Sequence, residues 1–169
     1  MINLKLYGLY RTGTNWAQHC TDQSFFGEVK IHHDTGAWKH GEIQRVKDMD
    51  GYILCSKDFK RWEQSMLRYM EDKGKGTVVI DPRLLKILWD GWYGQAHDFR
   101  AENLNVFRLH LINNATRDRF RMSALLAEIA AAYELDKSGG FHIEERVMRR
   151  NGDFTGINMR TADEKYEAR

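Results

Sequence analysis

Two glycines separated by four residues near the N-terminus constrain the fold of this chain more than any other feature. Gly8 and Gly13 lie between an apolar run at residues 2–9, which predicts a short buried strand, and a segment that predicts a helix from Thr14 onwards. The spacing G-x-x-x-x-G between a strand and a helix is that of a phosphate-binding loop. Glycine allows a tight turn whose N–H groups point inward, and the helix N-terminus favours negative charge. The sequence therefore predicts an anion site at this loop.

Segments of strand and helix character alternate along the rest of the chain. Strands are predicted at residues 2–9, 29–32, 51–56 and 104–112, and helices at residues 14–21, 59–70, 82–96 and 117–133. This alternation predicts a three-layer α/β/α fold with a central, mainly parallel sheet, whose site lies at the carboxyl ends of the strands.

The length of 169 residues predicts a single domain, residues 1–169, in which residues 135–169 form a less regular C-terminal segment. For the tail after Gly156 the composition leaves two alternatives open, a loosely held arm and a terminal helix.

The charge balance excludes a strong general attraction to nucleic acids or anionic membranes. The formal net charge is only +2, so any basic site must be local. Cys20 and Cys55 lack a metal-ligand spacing, and no apolar run approaches the roughly 20 residues that span a bilayer. The first predicted strand begins almost at once, which leaves no room for a signal peptide. We expect a cytoplasmic protein without a membrane span.

The residues after Gly13 differ from those of an ATP-hydrolysing loop. Such a loop continues with Lys and then Ser or Thr, which hold the terminal phosphates and a magnesium ion. Thr14 and Asn15 occupy these positions here, and Arg11 supplies a cation within the loop. Hydroxyl and amide donors suit an anion that carries no metal. A glycine turn that only joins a strand to a helix is the alternative interpretation.

The string from Arg11 to Trp16, R-T-G-T-N-W, resembles the 5′-phosphosulfate loop of the sulfotransferase family. That family uses 3′-phosphoadenosine 5′-phosphosulfate (PAPS) as its donor and releases adenosine 3′,5′-bisphosphate. The resemblance implies that the phosphosulfate is held by Arg11, Thr12, Gly13, Thr14 and Asn15, and that Trp16 lies against the adenine. By its side chain alone, Trp16 is at least as well suited to the hydrophobic core.

A second string resembles the segment with which the same family binds the 3′-phosphate. After the strand at residues 51–56, Lys57 stands where the family has arginine, and Ser65 follows eight residues later, as in the family. Asp58 and Lys60 also match, whereas Phe59 replaces a proline. Lysine keeps the positive charge but loses the bidentate geometry of arginine. Without the resemblance, this segment is most simply a solvated helix N-terminus.

The segment Lys30-Ile-His32 resembles the family's K-[ST]-H motif, in which the histidine is the general base. An acceptor hydroxyl must lose its proton as it attacks sulfur, and imidazole has a pKa near neutrality. The resemblance implies that His32 is the base and that Lys30 and Arg11 stabilise the negative charge of the transferred group. Neighbouring strand residues face opposite sides, so only one of His32 and His33 can point at the site. We expect no metal, because these histidines lack a recurrent ligand spacing.

Near the C-terminus, Arg149 and Arg150 lie in a short basic segment before Gly152, similar to the segment that closes over the 3′-phosphate in the family. The resemblance implies that both arginines contact this phosphate. A charged surface turn is the alternative.

Taken together, these motifs predict a metal-free transfer of a sulfuryl group from PAPS to a hydroxyl or amine. The alternatives are a P-loop phosphotransferase that uses ATP and a non-catalytic module that binds a nucleotide or another anion. The acceptor, a small molecule, a carbohydrate or a peptide, is not specified. An acceptor wall could be formed by a set of aromatic residues that fit a packed core equally well, namely Trp38, Trp89, Trp92, Tyr93 and Phe99.

Overall fold

The computed structural model describes residues 1–9, 11–33, 42–73, 81–143, 147–150 and 157–160. The helices are α1 (Thr14–Ser24), α2 (Phe59–Lys73), α3 (Leu85–Glu102) and α4 (Ala115–Ala132). The strands are β1 (Ile2–Gly8), β2 (Val29–His33), β3 (Gly51–Lys57), β4 (Val106–Leu111), β5 (Val147–Arg150) and β6 (Ile157–Arg160).

Four strands form a parallel sheet in the order β2-β1-β3-β4. Gly8 at the end of β1 lies beside Cys55, and Lys57 at the end of β3 lies beside Leu111. The carboxyl ends of β1, β3 and β4 therefore meet at one edge of the sheet, as the alternation of strands and helices requires. The predicted α/β fold with a mainly parallel sheet is confirmed.

Hydrophobic cores cover both faces of the sheet. One core joins Leu4, Leu6 and Ile53 to residues of α1 and α4, such as Leu125. The second core joins sheet residues of the opposite face to α2 and α3, with Tyr7, Leu54, Trp62, Leu85 and Trp92 among its members. Every residue of β3 is buried, as expected for a central parallel strand that is covered on both sides.

Two capping side chains mark the starts of the helical segments that contain α3 and α4. Asp81 accepts a hydrogen bond from the backbone N–H of Arg83 and starts a short 3-10 turn, Pro82–Leu84, that leads into α3. Asn114 caps α4 by accepting from the backbone N–H of Arg117 at 3.0 Å. Both caps satisfy helix N–H groups that have no partner within the helix.

The C-terminal segment differs from what the sequence predicts. β5 and β6 form an antiparallel pair in which Arg150 lies beside Ile157. Of the two alternatives for the tail after Gly156, the terminal helix is therefore wrong for Ile157–Arg160, and the loosely held arm stays a prediction. Strands of four residues are too short to show a period, and their pairing depends on contacts beyond each segment.

Candidate functional site

The loop between β1 and α1 is stabilised by its own backbone and by Thr12. The N–H and the hydroxyl of Thr12 both donate to the carbonyl oxygen of Leu9, at 3.2 and 2.6 Å. Arg11 and Gly13 have positive φ angles of 66° and 82°, and Gly13 is the N-cap of α1. Glycine offers no capping side chain, and the positive end of the α1 dipole at this loop favours an anion.

Gly8 and Gly13 are both required because other segments of the same chain approach them closely. A Cβ at Gly8 would lie 2.6 Å from Thr14 Cγ2 and 2.9 Å from Cys55 Cβ. A Cβ at Gly13 would lie 2.5 Å from Leu111 Cδ1. The loop is thus packed between α1, β3 and the end of β4, and its shape depends on the absence of side chains at two positions.

The predicted phosphosulfate ligands lie together around this turn. Arg11 and Asn15 are partly exposed, whereas Thr12 and Thr14 are buried. Trp16 is only 8% exposed and belongs to the core on the α1 face of the sheet. The structure therefore accounts for Trp16 by packing, and its contact with adenine stays a prediction.

Lys57 and Ser65 are brought together as the second motif predicts. Lys57 Nζ donates to Ser65 Oγ at 3.3 Å, and both side chains are buried. Asp58 follows β3 and accepts from the backbone N–H of Arg61 at 3.3 Å, which caps α2. Lys60, by contrast, is exposed on the first turn of α2. The pair of Lys57 and Ser65 places an ammonium group and a hydroxyl next to the carboxyl end of β1.

Asp118, which sequence reasoning missed, connects this pair to the loop between β4 and α4. Its Oδ1 accepts from the backbone N–H of Ile112 at 2.9 Å, and the backbone of Asn113 and Asn114 donates to the same carboxylate. Burial raises the pKa of Asp118, while these hydrogen bonds and the charge of Lys57 act in the opposite direction. The available signal was an acidic residue in the first turns of a helix, which alone indicates only a favourable dipole.

His32 is held near the amino end of β1. Its Nε2 lies 2.9 Å from Oδ1 of Asn3, and since an amide oxygen only accepts, Nε2 carries the proton and Nδ1 keeps its lone pair. Partial burial lowers the pKa of His32, and the positive charges of Lys30 and Lys5 lower it further. The imidazole is therefore neutral at neutral pH and can accept a proton at Nδ1.

His33 points to the other side of the sheet. Its Nδ1 lies 3.3 Å from Oε1 of Gln18 on α1, whereas His32 faces Asn3 of β1. In the register of the sheet, His32 lies beside Lys5, three residues before Gly8. At about 3.3 Å per strand residue, His32 is about 10 Å along the strand from Gly8, where the loop between β1 and α1 begins. The loops of β1, β3 and β4 converge, and the proposed base lies farther away.

The aromatic residues separate into two groups. Trp92 and Phe99 are buried in the core between the sheet and α3. Trp89 donates its Nε1–H to the carbonyl oxygen of Lys57 at 2.9 Å, and its ring stacks on Tyr93 with centroids 4.2 Å apart. Only Trp89 and Tyr93 of the predicted wall thus lie, among the described residues, at the edge of the sheet that carries the site.

His110 of β4, which sequence reasoning also missed, connects the aromatic pair of Trp89 and Tyr93 to the sheet. Its Nδ1 lies 2.8 Å from the hydroxyl of Ser56 and 3.0 Å from the hydroxyl of Tyr93. Burial lowers the pKa of His110, and the charges of Arg121 and Arg108 act in the same direction. The alternation of apolar and polar residues along β4 was the only sequence signal, and it indicates a strand rather than a site.

Three predicted residues lie wholly or partly outside the described part of the chain. Arg149 and Arg150 are the last residues of β5, and their side chains lie outside the described part of the chain. Trp38 lies outside the described residues altogether.

Neither a metal cluster nor a membrane span is found within the described ranges. These residues hold no group of three or more His, Cys, Asp or Glu side chains that could bind a metal ion. None of their helices combines the length and the apolar character needed to cross a bilayer.

Comparisons with protein-family models, with curated proteins and with solved structures give no match for this chain. The resemblance to sulfotransferases therefore rests on the residues of the motifs alone.

Proposed function

We propose that this chain is a PAPS-dependent sulfotransferase with a P-loop type of fold. The observation that carries the proposal is the hydrogen bond between Lys57 and Ser65 next to the glycine loop of β1. Two strings that are far apart in sequence resemble the two phosphate-binding segments of one family, and both lie at the same edge of the sheet.

The first anion group is proposed to bind at the loop after Gly8. The positive φ angles of Arg11 and Gly13 and the start of α1 support this, because such a turn at a helix N-terminus favours negative charge. Arg11 adds a full positive charge. Thr14 and Asn15 take the positions at which an ATPase has its lysine and its magnesium ligand, so a metal-free phosphosulfate suits the loop better than a triphosphate.

The second anion group is proposed to bind at Lys57 and Ser65. A buried ammonium group and a hydroxyl form charge-assisted hydrogen bonds with a phosphate in a region from which water is largely excluded. PAPS differs from most nucleotide donors in its 3′-phosphate, which requires such a second site. This pair therefore gives the proposal its specificity for a nucleoside 3′,5′-bisphosphate.

The proposed reaction is an in-line displacement at sulfur. The acceptor oxygen forms a bond to sulfur, the bond between sulfur and the bridging oxygen breaks, and adenosine 3′,5′-bisphosphate leaves with the electron pair. His32 takes the acceptor proton at Nδ1, while its Nε2–H remains bonded to Asn3, as in other bases oriented by a neighbour. Lys30 and Arg11 stabilise the charge on the transferred group.

Nucleotide binding tests the first half of the proposal. Adenosine 3′,5′-bisphosphate should raise the melting temperature at millimolar concentration or below, and it should bind more tightly than adenosine 5′-phosphate. Lys57→Met should weaken binding of the bisphosphate by about 10- to 100-fold, since one charge-assisted hydrogen bond contributes about 1.5–3 kcal/mol. The matched control is Lys137→Met, because Lys137 is exposed beyond the carboxyl end of α4, outside both motifs, and should leave the affinity unchanged. Equal binding of the two nucleotides would contradict the second anion site.

Transfer of labelled sulfate from PAPS to a panel of phenols, sugars and tyrosine peptides tests the second half. Activity should persist in the presence of a metal chelator. A non-catalytic anion-binding module is the second candidate function, because His32 lies about 10 Å along the strand from the loop. Tight bisphosphate binding without transfer to any acceptor would favour that candidate.

A further inference from the structure

The loop between β4 and α4 contains a buried amide that lacks a hydrogen-bond partner. Nδ2 of Asn113 is buried, and no described residue accepts from it. Leaving such a donor unsatisfied costs folding free energy, and most buried polar groups in proteins avoid that cost. The chain therefore retains a feature that is unfavourable for the folded state in the absence of a ligand.

The backbone of the same residue is also in an uncommon conformation. Asn113 has a φ angle of 58°, in the left-handed region that asparagine tolerates better than most residues. The carboxylate of Asp118 fixes this conformation by accepting hydrogen bonds from the backbone at Ile112, Asn113 and Asn114. An uncommon conformation that is held by a buried charge indicates a role for the side chain it positions.

Asn113 lies at the proposed nucleotide site. Leu111, two residues earlier, contacts the loop at Gly13, and β4 pairs with β3 as far as Lys57. Asp118, which fixes the loop, is also attracted to Lys57. Asn113 therefore follows a strand end that packs against the glycine loop and pairs with Lys57.

A second buried donor without a described partner, Nε1 of Trp92, shows why position matters. Trp92 lies in the middle of α3 and packs in the hydrophobic core against the sheet. The backbone of Trp92 is regular helix, whereas Asn113 has a positive φ angle in a loop. Asn113 combines the unpaired donor with a strand end, a fixed loop and two neighbouring anion groups.

We propose that Asn113 recognises the base of the donor nucleotide. Its Nδ2 donates to N7 of adenine and its Oδ1 accepts from the N6 amino group, the bidentate pairing that asparagine makes with adenine. Guanine has an acceptor in place of this amino group and cytosine has no N7, so neither can form the pair. This inference rests on the proposed function, since it requires a nucleotide between the two anion groups.

Substitution of Asn113 by glycine gives the sharpest test. Asn113→Gly removes the unpaired amide and tolerates a positive φ, so the melting temperature without ligand should stay the same or rise. The affinity for adenosine 3′,5′-bisphosphate should fall by about 10- to 100-fold, because a bidentate contact to a base contributes about that much discrimination. The preference for this ligand over guanosine and cytidine 3′,5′-bisphosphates should fall to near unity.

The control is Asn105→Gly, at the opposite edge of the sheet. Asn105 also has a positive φ angle, 53°, but its Nδ2 donates to the carbonyl oxygen of Asp50 at 3.3 Å. Asn105→Gly should leave nucleotide affinity and base preference unchanged. Asn113→Asp keeps the shape of the side chain but removes the donor, so it should lose the adenine preference even if the glycine variant is poorly folded.

The outcomes separate this inference from the proposed function. Adenosine bisphosphate that fails to bind the unaltered chain overturns both. If the unaltered chain binds it and both Asn113 variants keep the same affinity and base preference, the role of Asn113 is refuted while the proposed function stands. A melting temperature of Asn113→Gly well below that of the unaltered chain, with ligand binding retained, identifies Asn113 as a purely structural residue.

Discussion

The carboxyl ends of β1, β3 and β4 differ from the end of β2 in how their polar residues are held. At the first three strands, Leu111 packs on Gly13, Lys57 bonds to Ser65, and Asp118 joins Lys57 to the loop after β4. At β2, His32 and His33 face opposite sides of the sheet and bond to side chains of neighbouring elements. The groups proposed to bind the donor thus form one connected unit, and the proposed base belongs to a separate region.

In the proposed function, anion binding and proton transfer therefore depend on different parts of the fold. The residues proposed to bind the anions are held by packing around Gly8 and Gly13 and by the buried side chains of Lys57 and Asp118. A substitution among them therefore alters the folded structure. His32 is fixed by one described hydrogen bond at an edge strand of the sheet. Substitutions at the two regions should therefore separate binding and stability from turnover.

The largest expected effect is on turnover. His32→Ala should lower the rate of sulfuryl transfer by about 10²- to 10⁴-fold, the usual contribution of a general base, while adenosine 3′,5′-bisphosphate binds as before. Single-turnover rates with labelled PAPS and calorimetric binding measure the two quantities. His33→Ala is the control and should retain most of the activity, because His33 faces α1. A larger loss in His33→Ala than in His32→Ala would reverse the assignment of the base.

The next largest effect is on stability and binding together. Gly8→Ala places a methyl group 2.6 Å from Thr14 Cγ2 and should destabilise the fold by about 1–3 kcal/mol, the usual cost of overpacking. It should also weaken anion binding, because the loop must shift. Chemical denaturation and bisphosphate titration measure both effects. Gly94→Ala on α3 is the matched control: a Cβ there meets nothing within 4 Å, so the helix should gain about 0.5–1 kcal/mol. Equal stabilities of the two variants would contradict the tight packing of the loop.

The smallest effect concerns pH. The pKa of His110 is lowered chiefly by burial, so the folded chain resists its protonation. A lowered histidine pKa means that the unfolded chain binds more protons, and stability falls as pH drops through 6.5 towards the folded pKa. His110→Asn keeps a polar group near Ser56 and Tyr93 and should lose less stability between pH 7.5 and 5.5. Melting curves at both pH values test this, and the pH 7.5 curves correct for structural effects. An unchanged pH dependence would assign the acid sensitivity to other groups.

The charged groups that bear on His110 come from α4, from β4 and from the residue before α2. Arg121 of α4 and Arg108 of β4 lower its pKa, and Asp58 raises it. The same Arg121 donates to the carbonyl oxygen of His110 at 2.7 Å.

The fold and the positions of the glycine loop and of the Lys57–Ser65 pair could be predicted because each depends on local sequence. The apolar runs and the glycine spacing fix β1, its loop and the start of α1, and the string after β3 fixes Lys57 and Ser65 at a set separation. Parallel strands then bring both groups to one edge without further information. The position of Trp16 in the core agrees with its large apolar side chain. The resemblance to the sulfotransferase loop implied a contact with adenine instead.

Asp118, Asn113 and His110 could not be predicted, because their roles depend on contacts between elements. Asp118 is significant only when Lys57 lies nearby, and Asn113 only when its amide is buried beside a strand end. The strand Ile157–Arg160 likewise depends on a partner segment. Such pairings are properties of the packed molecule and leave no period in the sequence.

Asp118 interacts both with Lys57 and with the loop at Asn113, and this has a thermodynamic consequence for ligand binding. A phosphate bound at Lys57 competes with Asp118 for the positive charge of this lysine. The carboxylate of Asp118 then interacts more strongly with the backbone N–H groups of the loop at Asn113. Occupancy of the second anion group and the conformation of that loop are therefore linked, and the linkage must be reciprocal. In the proposed function, a ligand that orders the loop should also strengthen phosphate binding at Lys57, so we expect the two parts of the donor to bind cooperatively.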